Sequence, residues 1–317
     1  MKNLKESLGR VGVLAGGPSN EREISLRSGK AVYNALIAKG IDTVFLDVGE
    51  DVYDVIKKSA IDVAFIVLHG RFGEDGTVQS ILEELGIPYT GSGVESSRLA
   101  LDKIAAKRVL AKAGILVPRH IVVDKESCRE INTDSIGFPL VVKPHLEGSS
   151  IGLSVVRDKK GLADALEKAL SFSEKALVEE FIDGRELTVG ILNEEPLPVI
   201  EIVTKAGVYD YSAKYNDPET RYLVPAPIKV SQSKESQEIG RRSHKALGCS
   251  CFSRIDMILN SDGRLFVLEA NTIPGMTERS LLPKAAEAIG LNFGDLCITL
   301  VKDAVKRGPR GWEGRKR

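Results

Sequence analysis

The chain carries no surplus of charge: 44 lysines and arginines balance 44 aspartates and glutamates in 317 residues. No overall field therefore draws it to nucleic acid or to an anionic membrane surface. It also lacks any apolar run near the ~20 residues of a membrane-spanning helix. The opening MKNLKESLGR has no apolar core of the kind that marks a secretory signal, so a cytoplasmic setting is expected. Cysteine is sparse. Cys128, Cys249, Cys251 and Cys297 show no metal-type spacing, which argues against zinc and for free thiols in a reducing compartment. No GxGxxG follows the first apolar run, and no GxxxxGK[ST] occurs. The glycine fingerprint of a nicotinamide-dependent dehydrogenase and the P-loop are thus both missing. Internal repeats and low-complexity stretches are absent too. The basic end, KRGPRGWEGRKR, reads as a solvated tail from about residue 307.

What is present suits a globular chain of two or three domains: 43% of residues are apolar and 28% charged. RVGVLAGG (10–17), IDTVFLDV (41–48) and IDVAFIVLHG (61–70) read as strands with helical segments between them. That alternation predicts a doubly wound parallel sheet. IPYTGSG (87–93) breaks the pattern, and a boundary is expected near residue 97. LALDKIAAKRVLAKAG (99–114) reads as one amphipathic helix. Further strands and a helix near 232–247 follow, separated by a long polar loop at 204–227.

RIDMILNSDGRLFVLEAN (254–271) can be read geometrically. A two-residue turn at Asp262-Gly263 would pair Ser261 with Arg264. Counting back places Asp256 opposite Glu269 and Arg254 opposite Asn271, all on one face. Ile255, Met257 and Leu259 would pack with Ala270, Leu268 and Phe266 on the other face. Two opposed carboxylates repel, so positive charge must lie between them. A hard divalent cation would serve; so would a structural salt bridge from Arg254 or a lysine.

Lys143 ends an apolar run and is followed by Glu147-Gly148-Ser149-Ser150-Ile151-Gly152. Backbone N–H groups of such a loop can cradle phosphate, and a lysine adds a point charge. A plain surface turn is the alternative. Each remaining candidate also has an ordinary reading. Lys103 could be a solvated helix lysine, Glu21 a first-turn acid, and His69 a satisfied core histidine. Lys214 and Tyr215 could be loop residues, and the Glu179–Phe181 stretch a polar sheet edge.

Taken in order, GGPSNEREIS, LHGRFGEDGTVQSILEELGIPYTGSG, LDK, VVKPHLEGSSIG, YSAKY, RIDMIL and LEANTIPGMTERSLLP resemble the ATP-grasp ligases, and within them the D-alanine–D-alanine ligase family. The resemblance spans about residues 10 to 305. It implies an α/β (α+β ATP-grasp) chain. A doubly wound parallel N-terminal domain (1–97) would precede a central ATP-grasp domain (98–185) and a C-terminal ATP-grasp and substrate domain (186–317). It implies a cytoplasmic homodimer that takes D-alanine and ATP, with neither nucleic acid nor membrane as partner. The product would be D-alanyl-D-alanine, formed through a D-alanyl phosphate, for peptidoglycan precursor synthesis. Two Mg²⁺ ions are implied, with Mn²⁺ as a substitute.

Residue by residue, the resemblance assigns Lys103 and Lys143 to the ATP phosphates and 147–152 to a lid over them. Glu179, Phe181 and Ile182 fall to the adenine, and Glu186 to the ribose. Asp256, Glu269 and Asn271 become metal ligands. Glu21 would hold the first substrate's ammonium, with His69 lining the pocket. Arg254 and the backbone of Gly275 would face the oxyanion. Lys214, Ser280 and Leu281 would receive the second substrate's carboxylate. Ser149 and Tyr215 would join Glu21 in closing the site. His145 and Leu146 depart from the usual lid sequence, and Phe181 stands where some relatives carry tryptophan. Tyr215 argues for an amine acceptor over D-lactate. A ligase for another carboxylate–amine pair and a non-catalytic nucleotide sensor are the competing readings. The substrate segments and the intact lysines and acids argue against them.

Overall fold

The computed structural model describes residues 8–49, 51–126, 131–205, 217 and 219–310. Lys214 and Tyr215, and with them part of the long polar loop, lie outside these residues. In chain order the first elements are β1 (Val11–Gly16), α1 (Arg22–Ala38), β2 (Thr43–Val48), α2 (Val52–Ser59), β3 (Val63–Ile66) and α3 (Thr77–Glu84). The three strands form a parallel sheet in the order β2-β1-β3, with Val11 level with both Thr43 and Val63. Every residue of β1 and β3 is buried, as expected of strands covered on both faces. The expected third strand is shorter than 61–70. The segment after β3 leaves the sheet and carries His69 to its carboxyl end. IPYTGSG runs beside β3, where Tyr89 bridges to Ala64.

The next elements are α4 (Val94–Leu101), α5 (Lys103–Lys112), β4 (His120–Asp124), β5 (Leu140–Pro144), β6 (Ser154–Val156), α6 (Leu162–Phe172) and β7 (Lys175–Glu180). The single helix expected at 99–114 is in fact broken at Asp102. That residue is extended (φ −74°, ψ 96°), and its carboxylate accepts from the Ile104 and Ala105 N–H groups. An N-cap of this kind starts a new helix without disturbing the apolar pattern, so periodicity alone does not reveal the break. The antiparallel sheet β4-β7-β5-β6 packs Val123, Leu140, Val142 and Val178 against Leu162, Leu166 and Ala169 of α6.

The last elements are β8 (Gly184–Leu192), β9 (Glu195–Pro196), β10 (Ile200–Val203), β11 (Arg221–Leu223), α7 (Val230–Ala246), β12 (Phe252–Asn260), β13 (Leu265–Asn271), α8 (Leu281–Glu287) and α9 (Phe293–Arg307). The larger sheet runs β11-β10-β8-β12-β13, with β9 on β8. Its core face carries Leu187, Val189, Ile255, Met257 and Val267 against Ala106 and Leu110 of α5. The chain then returns to its beginning. Leu296, Leu300 and Val301 of α9 share one core with Val13, Phe65, Val32 and Leu36. The first sheet is therefore covered on one side by the last described helix.

Candidate active site

The β12–β13 hairpin places the acids, by a route different from the expected one. Its turn closes one residue earlier: Asn260 N–H donates to Arg264 O, and Gly263 N–H donates to Asn260 O. Gly263 has φ +84°, the left-handed position that ends a three-residue loop. The pairing is Leu259 with Leu265 and Met257 with Val267, not Leu259 with Phe266 and Met257 with Leu268. A bulge between Asp256 and Met257 then takes up one residue of β13. The two departures cancel, so Asp256 faces Glu269 and Arg254 faces Asn271, as the count predicts. The bulge also turns Leu268 from the core to a cavity wall.

Positive charge meets both acids. Arg254 grips Asp256 with two hydrogen bonds, Nε to Oδ1 at 2.9 Å and Nη2 to Oδ2 at 2.7 Å. Thr188 Oγ1 (2.6 Å) and Asn271 Nδ2 (3.0 Å) donate to the same carboxylate. Lys103 Nζ lies 3.2 Å from Glu269 Oε2 and donates to Glu147 O at 2.7 Å. The salt-bridge reading of the pair thus describes this arrangement. Among the described residues no three His, Cys, Asp or Glu side chains converge as a metal cluster. The donor set still fits Mg²⁺. Asp256, Glu269 and Asn271 carry hard oxygen atoms on one face, and Mg²⁺ is commonly held by one or two carboxylates plus substrate phosphates.

Two cavities flank this face. The first, with about 1040 Å³ of empty space opening to solvent, lies between the two antiparallel sheets. It is lined by Lys103, Lys143, Glu179, Phe181, Ile182, Glu186, Asp256 and Glu269. The second, about 1870 Å³ and also open, lies toward the parallel sheet. Glu21, His69, Ser149, Arg254, Asn271, Gly275, Ser280 and Leu281 line it. Every expected site residue within the described chain therefore falls on one wall or the other. The lid runs between the cavities: Glu147 and Ser150 face the first, Gly148 and Ser149 the second.

The 147–152 loop is tied by side chains from the segments that follow β1 and β3. Ser149 Oγ donates to Glu21 Oε1. Arg71 Nε sits 3.2 Å from Glu147 Oε1, and its Nη2 donates to Phe172 O at the end of α6, 2.8 Å away. A Cβ on Gly148 would stand 3.0 Å from Glu21 Oε2, so any larger residue would require the Glu21 carboxylate to give way. Ser149 and Ser150 take φ of +48° and +58°, a strained conformation typical of switch segments. At the lid's base His145 Nδ1 faces Lys175 O at 3.0 Å, and its carbonyl accepts from Lys103 N–H.

Burial tunes the charges. His69 is pushed down by desolvation and stays neutral. Its Nδ1 faces Ile273 O at 3.1 Å, so that nitrogen carries the proton and Nε2 keeps a free lone pair without a hydrogen-bond partner. Glu74, which accepts from Gly70 N–H at 2.8 Å, is pushed up to about 8 by burial and then by Glu21. Glu179, in contrast, is held below the usual range by Lys107 and Lys143 despite its burial. Its carboxylate points between those lysines, 3.1 and 3.0 Å away, while Glu180 turns aside to Arg119. Sequence reasoning missed Glu74, Arg71 and Lys107. The first two sit inside HGRFGEDG and could have been singled out there. Lys107 carries no motif signal beyond its four-residue spacing from Lys103.

Solved structures share the fold. The D-alanine–D-alanine ligase from Bacillus anthracis complexed with ATP matches with a TM-score of 0.83 at 34% identity, over 94% of this chain and 98% of that one. The VanG D-Ala:D-Ser ligase from Enterococcus faecalis matches with 0.80 at 30% identity, over 93% and 98%. Two sheets enclosing a lysine-lined cleft over opposed carboxylates define an ATP-grasp ligase fold. Residues 109–302 match the family model described as D-ala D-ala ligase C-terminus, and 49–92 the one described as D-ala D-ala ligase N-terminus. The D-alanine–D-alanine ligase of Pelotomaculum thermopropionicum is 48% identical over 308 residues, 94% of this chain and 97% of that protein. The chain belongs to the D-alanine–D-alanine ligase family.

Proposed function

We propose that the chain joins two D-alanines into D-alanyl-D-alanine, converting ATP to ADP and phosphate, for peptidoglycan precursor synthesis. The observation that carries this reading is the Arg254–Asp256–Glu269–Asn271 face between two cavities, beneath a lid tied to Glu21. ATP occupies the first cavity. Lys103 and Lys143 bind its phosphates, Glu186 the ribose, and Glu179, Phe181 and Ile182 border the adenine. Asp256, Glu269 and Asn271 would hold two Mg²⁺ ions. When bound, they would supply positive charge to offset that on the transferring phosphoryl group.

The first D-alanine sits in the second cavity, its ammonium on Glu21 beside His69. Its carboxylate attacks the γ-phosphorus, ADP leaves, and a D-alanyl phosphate forms. Water would destroy that species, so the lid must exclude it. The second D-alanine, its carboxylate held by Ser280, Leu281 and Lys214, attacks through a neutral amine. Arg254 and the Gly275 N–H stabilise the oxyanion that develops, and phosphate departs. Catalysis rests on positioning and preorganised charge. A cytoplasmic homodimer is the setting proposed.

Tyr215 favours an amine acceptor. An equimolar mixture of D-alanine and D-lactate, read by product mass, tests this: dipeptide without ester is expected. Ester would overturn the acceptor assignment, and absence of dipeptide would overturn the substrate assignment.

A further inference from the structure

Lys107 is 1% exposed and does not reach the wall of either cavity. It lies one helical turn beyond Lys103 on α5, behind the lysine that does line the first cavity. Its partner is Glu179, itself 2% exposed, whose other oxygen is taken by Lys143. One buried carboxylate thus lies between two buried ammonium groups, 3.1 and 3.0 Å from its oxygens. Lys107 Nζ has Glu179 Oε1 at 3.1 Å as its one partner among the described residues, so most of its proton donors are unmet in the interior.

Such an arrangement is hard to explain as a device for stability. Removing an ammonium from water is costly, and a carboxylate that already has Lys143 does not need a second cation. A buried ammonium with most of its donors unmet calls for another account. Charge supplies one. With Lys107 present, the cluster of two lysines and one glutamate is cationic by one unit. Without it, Glu179 and Lys143 neutralise each other at the cavity wall.

We propose that Lys107 is a positioning residue for nucleotide binding: it occupies one oxygen of Glu179 and so leaves the positive charge of Lys143 available to the phosphates. This rests on the assignment of the first cavity to ATP. The helix therefore supplies two lysines of different kinds. Lys103 meets the ligand, and Lys107 acts from behind through Glu179 and Lys143. A unit charge on the order of 10 Å from a phosphate, at an effective dielectric of about 20, corresponds to roughly a tenfold change in affinity.

The test measures binding of MgATP and of adenosine by titration calorimetry, together with KM for D-alanine, for the parent, Lys107→Met and Lys107→Gln. Both variants remove the charge, and the glutamine can still hydrogen-bond Glu179, so it should fold even where the methionine does not. Either folded variant should weaken MgATP about tenfold and leave adenosine affinity and KM for D-alanine within about twofold. A merely structural role predicts that adenosine, which carries no phosphate, weakens as much as MgATP. Parental MgATP affinity in a folded neutral variant, or an equal loss for adenosine, overturns the proposal. A parent that binds no MgATP overturns the nucleotide reading itself, and this inference with it.

Discussion

Arg254 and Asp256 are joined by two hydrogen bonds and are 12% and 7% exposed, so their pairing is largely shielded from water. Replacing Arg254 by methionine keeps the chain length and removes the charge. Asp256 then retains only the Thr188 hydroxyl and the Asn271 amide. Removing one partner of a buried pair costs about 3–5 kcal/mol. At about 2–4 °C per kcal/mol, melting in a chelator should fall by roughly 6–20 °C. A bound divalent cation would resupply the lost counter-charge. Mg²⁺ with ATP should therefore recover at least half of the drop, beyond the rise the same ligands give the parent. The assay is a set of thermal melts of parent and variant in EDTA, in Mg²⁺, and in Mg²⁺ with ATP. An unchanged melt in EDTA would refute the view of Arg254 as the counter-charge of Asp256. A drop that Mg²⁺ leaves untouched would refute the view of this face as a cation site. Turnover should fall by about 10²–10³, the scale for losing one donor to a developing oxyanion.

Lys143→Ala and Glu269→Gln should each lower turnover by more than about 10² while leaving circular dichroism unchanged; near-parental turnover of both would contradict their roles. His244, buried against Ser253 with Nδ1 2.7 Å from Oγ, is held down to about 4 by desolvation. The unfolded chain therefore binds an extra proton between about pH 6.5 and 4, and stability present above that window is lost as pH falls through it. The loss is about 3 kcal/mol at pH 4, read by denaturant titration. His244→Asn should lack that part of the slope, and parallel profiles would count against it. Arg71→Ala should change stability by less than about 1 kcal/mol, since its pair with Glu147 is partly solvated. It should still speed proteolytic cleavage within 147–152, and unchanged cleavage would remove Arg71 from the lid's closure.

Much of the site could be read from residue order because its parts are local motifs. VVKPHLEGSSIG puts a strand end next to a lid, and the hairpin sets two acids face to face. The register at Asp256 came out correctly although the turn has three residues, because the bulge at Leu268 offsets it. Alternation cannot reveal such paired departures. The break at Asp102 was hidden for a related reason: a cap interrupts backbone geometry without interrupting hydrophobic spacing. Lys107 looked like any helix lysine, since only the fold brings Glu179 and Lys143 to it. The packing of α9 on β3 is equally a long-range contact with no mark in its own residues.

The most direct test of the account is phosphate release from ATP and Mg²⁺ with D-alanine, with L-alanine, or with neither, alongside the mass of any product. The account predicts release only with D-alanine, one phosphate for each D-alanyl-D-alanine formed. Release that is independent of D-alanine, or no release although ATP is bound, would contradict it.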